Sequence, residues 1–143
     1  MFKLIPLYNT ESVLKNWKHL SEGMEIVLSH SNGDSNIDEV LNDILSGKLL
    51  MWIGFDNNEY CGFVTTIWEI KPTVGKFLLI AHAYGRNGLD PSVLMQGLDR
   101  LVKYAQEFKA KRVKFYTLRD KAWERKLRKY KFKPSYVEFI REV

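Results

Sequence analysis

The fold of this chain is decided by the stretch Phe77-Leu-Leu-Ile-Ala-His-Ala-Tyr-Gly-Arg-Asn-Gly-Leu-Asp-Pro-Ser-Val-Leu-Met-Gln-Gly-Leu98. An apolar run typical of a β-strand, residues 76–84, enters a tight polar loop at 85–90, and the loop leads directly into a helix. Unpaired backbone N–H groups and the positive end of the helix dipole point the same way at such a junction. The segment is therefore a candidate anion-binding site.

The helix that follows has clear start signals and a regular apolar stripe. Pro91 suits the first helical position, with Asp90 as its N-cap. Apolar residues then recur at intervals of four and three, at Leu94, Leu98, Leu101, Ala105 and Phe108. A further strand is predicted at 112–118, and because a helix separates it from strand 76–84, the two should be parallel neighbours. A cleft opens where such neighbours diverge, and clefts at strand ends commonly bind ligands.

The remaining segments complete the element order. Before the opening stretch, the patterns predict a strand at 2–8, a helix capped by Thr10, a second helix opened by Ser35 with Asp38 and ended by Gly47, and strands at 49–55 and 60–70. After it, they predict a basic helix at 120–130 and a last strand at 136–143. The order β-α-α-β-β-β-α-β-α-β implies an α+β fold. Its sheet is mostly antiparallel, with one parallel junction between strands 76–84 and 112–118.

Length and composition favour one cytoplasmic domain. The 143 residues, 45% of them hydrophobic, suit a single domain over 1–143 with one core. Without an apolar run near ~20 residues or a signal-peptide pattern, we expect no membrane span. The single cysteine, Cys61, lies in a strand pattern and is expected to be a buried small side chain. Three histidines and one cysteine show no metal-ligand spacing, so no metal site is predicted.

Charge is unevenly distributed along the chain. Residues 1–99 contain 7 Lys/Arg and 12 Asp/Glu, net −5, whereas residues 100–143 contain 15 and 5, net +10. On the basic helix, Arg125, Lys126 and Lys129 are expected to face outward. Trp123, Leu127 and Tyr130 are expected to face inward. Such a surface attracts nucleic acid, phosphorylated cofactors or an acidic protein, and it also suits a simply solvated helix face.

The element order resembles the GNAT superfamily of acyl-CoA-dependent N-acyltransferases over nearly the whole chain. There, the strand before the long helix pairs with the pantetheine arm, and a loop [Gln/Arg]-x-x-Gly-x-[Gly/Ala] wraps the diphosphate. The resemblance implies acetyl-CoA as cofactor, bound by Ala81, Ala83, Arg86, Asn87, Gly88, Leu89 and Ser92. With Arg86 in register, the two glycine positions hold Leu89 and Pro91, and Gly88 comes one place early. Pro91 removes an N–H donor, and Asp90 would compete with a phosphate.

The resemblance also supplies catalytic candidates. His82 and Glu69 are candidates for the general base, and each also suits a structural or solvated role. The family often uses a Tyr on the last helix as the general acid, four residues before a Gly-Phe pair. Counting back from Phe132, that position is Leu127, so Tyr130 is the nearest candidate.

Two functions remain open at this level. The first is an acyl-CoA-dependent N-acyltransferase of unknown amine substrate. The second is a degenerate, inactive GNAT-like binding protein whose face with Arg125, Lys126 and Lys129 engages nucleic acid or an acidic protein. Compact GNAT-like proteins with degenerate loops also occur in bacteriophages, and this chain is similar to them. The acceptor, the acyl group and the oligomeric state do not follow from the sequence.

Overall fold

A sheet lies between helices in the part of the chain described by this computed structural model, residues 1–30, 35–116, 121–135 and Arg141. Within those residues the strands lie side by side in chain order: β1 Phe2–Leu7, β2 Leu50–Asp56, β3 Glu59–Lys71, β4 Gly75–Gly85 and β5 Arg112–Phe115. The helices are α1 Thr10–Ser29, α2 Ile37–Leu45, α3 Pro91–Glu107 and α4 Lys121–Lys129. Strands β1 to β4 pair antiparallel and β5 pairs parallel to β4, which confirms the predicted α+β fold.

Each face of the sheet carries its own apolar core. Helices α1 and α2 cover one face, where Leu20, Met24 and Phe63 are buried. Helix α3 covers the other face, where Trp52 and Leu78 are fully buried. Because side chains alternate along a strand, neighbouring residues of β2 enter opposite cores. Helices therefore lie on both faces, as predicted.

Two helices begin one residue away from the predicted caps. Asn9, not Thr10, caps α1, and its Oδ1 accepts the Ser12 N–H at 2.8 Å. At α2 the reciprocal pair is Asn36 and Glu39 rather than Ser35 and Asp38: the Asn36 Oδ1 accepts the Glu39 N–H at 3.0 Å, and its amide donates back to that carboxylate at 3.2 Å. In both places two residues that are favourable N-caps are adjacent. The helix starts at the position that directs its apolar side chains into the core, and this decides which of the two residues is the cap.

A bulge in β4 reverses which face its side chains occupy. Thr65 lies opposite His82 while Thr66 lies opposite Ile80, which leaves Ala81 as the extra residue. Before the bulge, Ile80 enters the α3 core, whereas after it Tyr84 packs on the α1 side, with its ring 5.6 Å from that of Phe63. The bulge therefore turns His82 toward the same side as α1 and α2.

Other sequence predictions are confirmed in part. Asp90 caps α3 and Gly47 follows α2 at φ +83°, as expected. Cys61 is buried, and burial raises the pKa of its thiol. Residues 117 and 118 of the predicted strand and the last strand at 136–143, apart from Arg141, lie outside the described residues. Among the described helices, none is long and apolar enough to cross a membrane.

Candidate active site

The described pairing of β4 with β5 extends along only the first half of β4. Over the described residues, pairing between them ends at Ile80 opposite Phe115. Strand β4 nevertheless continues to Gly85, and within the described part of the chain this second half is paired with β3 alone. We call residues 75–80 the paired half of β4 and residues 81–85 the splayed half. The cleft predicted for the parallel junction would lie beside the splayed half.

Some backbone groups of the splayed half point away from β3. The Arg86 N–H donates to the Cys61 carbonyl at 2.9 Å, which marks this position as hydrogen-bonded to β3. Since bonding positions alternate in an antiparallel pair, Ala83 and Gly85 direct their backbone groups away from β3. Ala81 is the unpaired extra residue of the bulge. Ala81 and Ala83 are also exposed, so the strand edge predicted to bind pantetheine is accessible.

A tight turn follows the strand and supplies amide groups. The Leu89 N–H donates to the Arg86 carbonyl at 3.3 Å, closing the turn. Gly88 has φ +79°, the left-handed region that favours glycine, and a Cβ there would meet no atom within 4 Å. Among the described residues, the N–H groups of Asn87 and Gly88 have no hydrogen-bond acceptor. These two amides are therefore available to an anion.

The start of α3 is largely satisfied by the chain itself. The Asp90 carboxylate accepts the Ser92 N–H at 2.8 Å. Hydrogen bonds from the Ser92 backbone and hydroxyl lower the pKa of this exposed carboxyl. Pro91 has no N–H, and the Val93 N–H donates to the Asp90 carbonyl at 2.9 Å. Ser92, predicted to contact the cofactor, thus has both of its donors engaged by Asp90.

Arg86 lies on an exposed ion pair rather than over the turn. Its guanidinium is 3.3 Å from the Glu59 carboxylate at the start of β3. Exposed pairs of this kind contribute only about 0–1 kcal/mol. Arg86 can therefore exchange Glu59 for a phosphate at little cost. Leu89, the other predicted turn residue, is half-buried, with its side chain beside Gly85.

His82 is held by a buried threonine. The Thr65 Oγ1 and His82 Nδ1 atoms are 2.6 Å apart, and Thr65 is fully buried. Burial lowers the pKa of His82 and outweighs the opposing influence of Asp43. The ring therefore favours its neutral form, with Nδ1 engaged and Nε2 without a described partner. A neutral, oriented imidazole is suited to accept a proton.

Glu69 is engaged elsewhere on the same face of the sheet. Its carboxylate is 2.8 Å from the Lys114 ammonium, and both side chains are about 30% exposed. Glu69 lies opposite Phe77, five residues before His82 on β4. The structure therefore does not bring the two candidate bases together. Thr65 was not predicted, because a threonine in an apolar strand pattern is typical of any β-strand.

Helix α4 ends in a hydrogen-bonded turn at residues 127–132. The Phe132 N–H donates to the Leu127 carbonyl and the Lys131 N–H to that of Arg128, with Lys131 at φ +67°. This is the Schellman ending, in which glycine usually takes the position of Lys131. Leu127, which the sequence resemblance aligns with the family's tyrosine, is buried.

Tyr130 lies on the α3 side of the sheet. It lines a groove of about 320 Å³ with Leu98, Val102 and Gln106 of α3, and it is 43% exposed. His82 faces the opposite layer, so the two candidates are not neighbours on one surface. The side chains of Arg125, Lys126 and Lys129 are exposed, as expected, whereas that of Trp123 lies outside the described set. An anionic partner for these three stays a prediction.

Solved structures share this fold over nearly the whole chain. A predicted acetyltransferase with acetyl-CoA from Clostridium acetobutylicum matches with a TM-score of 0.67 at 18% identity, covering 98% of this chain and 96% of its own. Ribosomal-protein-alanine N-acetyltransferase from Brucella melitensis matches at 0.70 and 13% identity over all of both chains. An aminoglycoside N-acetyltransferase in complex with CoA matches with a TM-score of 0.68 at 13% identity. The match covers 99% of this chain and 95% of that protein's chain.

These likenesses establish the fold. No protein-family model and no curated protein sequence matches the chain. At 10–18% identity, structural similarity is informative about architecture, because one fold serves many functions. The chain has the GNAT-like fold that its sequence resembles.

Proposed function

We propose that the protein is an acetyl-CoA-dependent N-acyltransferase that transfers an acetyl group to an amine. The observation that carries the proposal is the splayed half of β4, an accessible strand edge that runs into a turn with two available amides. Two of the structures with the same fold hold acetyl-CoA or CoA, which supports this ligand class. Among the described residues, no cluster of three or more His, Cys, Asp or Glu could hold a metal ion.

The residues present fit the cofactor with one change from the predicted arrangement. Amide groups of a pantetheine arm would bond to the backbone at Ala81 and Ala83 as an added strand does. The diphosphate would be bound by the amides of Asn87 and Gly88, with Arg86 turned from Glu59. Two unit charges ~4 Å apart repel by about 4 kcal/mol at an effective dielectric of ~20, so Asp90 keeps phosphate away from the helix end.

His82 would supply the base for the transfer. Bound acetyl-CoA would provide the activated thioester. His82 Nε2 would accept the proton lost from the amine nitrogen as that nitrogen replaces sulfur on the acyl carbon. The sulfur would leave as a thiolate and take its proton from solvent, because Tyr130 lies on the α3 side of the sheet, away from His82. Glu69 is a second candidate base, although its ion pair with Lys114 would have to open.

Titration calorimetry with acetyl-CoA tests the proposal. We expect a binding heat, and weaker binding of S-acetylpantetheine, which lacks the diphosphate. Release of free thiol in the presence of an amine, measured with a chromogenic disulfide, tests transfer itself. Absence of both heat and thermal shift at millimolar acetyl-CoA contradicts the proposal.

A further inference from the structure

The sheet face that His82 shares is covered unevenly by helices. Helix α1 packs on the splayed half of β4, where Gly23 lies against Tyr84. Toward β5, the face instead carries charged side chains from two strands. We call Glu69 and Lys71 of β3 together with Arg112 and Lys114 of β5 the basic sheet face.

Contacts show that this face is one surface. The ammonium groups of Lys71 and Lys114 lie 5.6 and 4.9 Å from the centre of the Phe77 ring, and Lys114 also binds Glu69. Arg112 is two residues before Lys114 on β5, so strand alternation puts it on the same side. Phe77 itself is only 3% exposed. The charged side chains of this face therefore lie over a buried aromatic ring.

The charge of this face is positive. It contains three cations and one carboxylate, a net charge of +2. Lys114 is bound to Glu69, while Lys71 and Arg112 are exposed and have no ion pair among the described residues. Two positive groups are thus left to attract an anion.

The register sets the distance from these cations to His82. Lys114 lies opposite Leu79 and Arg112 opposite Phe77, three and five residues before His82. Because Ala81 is the extra residue of the bulge, these positions are only two and four ladder steps from His82, roughly 7 and 13 Å at about 3.3 Å per step. An extended acceptor chain has a similar rise, so its third to fifth residues would reach the same positions.

We infer that the acceptor is an amine at the end of an extended chain that carries a carboxylate or phosphate group about 7–13 Å from that amine. This inference rests on the proposed function, because it puts the reacting amine at His82. The chemistry of an aminoglycoside does not fit: its several ammonium groups would meet like charge at Lys71 and Arg112.

Peptides that differ in one charged segment test the inference. The probes are hexapeptides with a free N-terminus and two Asp, two phosphoserine, two neutral or two Arg residues at positions 4 and 5, together with kanamycin as a polycation. With acetyl-CoA present, kcat/KM is measured by thiol release. We expect the Asp and phosphoserine peptides to exceed the neutral one about three- to tenfold, as two partly exposed charge pairs would give. The Arg peptide and kanamycin should fall below it, and 0.5 M salt should compress the differences.

A charge-reversal pair assigns the preference to this face. Lys71→Glu with Arg112→Glu should reverse the order of the acidic and Arg peptides. The matched control, Lys15→Glu with Lys103→Glu, changes the same net charge at exposed positions of α1 and α3 and should keep the wild-type order. Both double variants should bind acetyl-CoA and melt as the wild type does, because all four side chains are exposed.

The outcomes separate this inference from the proposed function. If the protein binds acetyl-CoA but acetylates no peptide, shows no charge preference, or favours the Arg peptide or kanamycin, the acceptor class is wrong and the cofactor assignment stands. An acidic preference that survives the Lys71 and Arg112 reversal also overturns it. If acetyl-CoA does not bind at all, the proposed function fails first and the acceptor class falls with it.

Discussion

The two halves of β4 belong to one continuous strand but have very different surroundings. Phe77, Leu78 and Ile80 of the paired half are buried between β3 and β5. Ala81 and Ala83 of the splayed half are exposed along an edge with no described strand beside it. Half of one strand thus contributes to the core, and the other half keeps backbone groups accessible. The difference coincides with the described pairing to β5, which reaches only Ile80.

The largest effect should follow truncation in the paired half. Leu78→Ala removes a fully buried side chain from the α3 core and should lower the free energy of unfolding by about 2–5 kcal/mol. Urea denaturation measures this loss. Folded Leu78→Ala protein should bind acetyl-CoA as the wild type does. A loss of acetyl-CoA affinity as large as the loss of stability would contradict the separate roles of the two halves.

Removing one amide from the splayed half should affect binding more than stability. Ala83→Pro deletes an N–H that points away from β3, so the β3 ladder keeps its bonds. We expect acetyl-CoA affinity to fall about five- to tenfold, the value of one hydrogen bond. Ala83→Ser keeps the amide and serves as the control in titration calorimetry. Equal weakening by both variants would contradict a role for this N–H.

His82 should make stability depend on pH. Burial lowers its pKa below the ordinary 6.5, so the folded state prefers the neutral ring. The contribution of the neutral ring to the free energy of unfolding is complete above pH 6.5 and is lost as the pH falls below that value. Wild type should therefore lose more free energy of unfolding between pH 7.5 and pH 5 than His82→Gln does.

Asp43 provides a second measurement of the same titration. It opposes the effect of burial on His82, so Asp43→Asn should steepen the loss of stability toward acid pH. Urea unfolding curves at several pH values compare the three proteins. Identical pH dependence in wild type and His82→Gln would show that the ring does not titrate as its burial implies.

The smallest effect should come from the turn. Glu59→Gln frees Arg86 from its exposed ion pair and should tighten acetyl-CoA binding by less than about fivefold, with stability nearly unchanged. Glu25→Gln, an exposed carboxylate on α1, is the matched control for the change in net charge. Weaker binding in Glu59→Gln would mean that Arg86 acts only in its pair with Glu59.

Much of the fold followed from local patterns, and the site followed only in outline. The start of α3 was predictable because Asp90 and Pro91 are adjacent and the apolar spacing after them is regular. The hydrogen bond between Thr65 and His82 was not, since the partners are 17 positions apart. Likewise, Glu69 suited a base until the structure brought Lys114 beside it.

The order of helices and strands, the parallel pairing of β4 with β5 and the capped start of α3 were determined by the sequence alone. These features depend on periodicity and caps within a few residues, and such short-range signals can be recognised directly. The bulge at Ala81, the orientation of His82 and the exposed edge beside Ala83 were decided only by the tertiary structure. They depend on how distant strands align, and a shift of one residue exchanges the two faces of a strand.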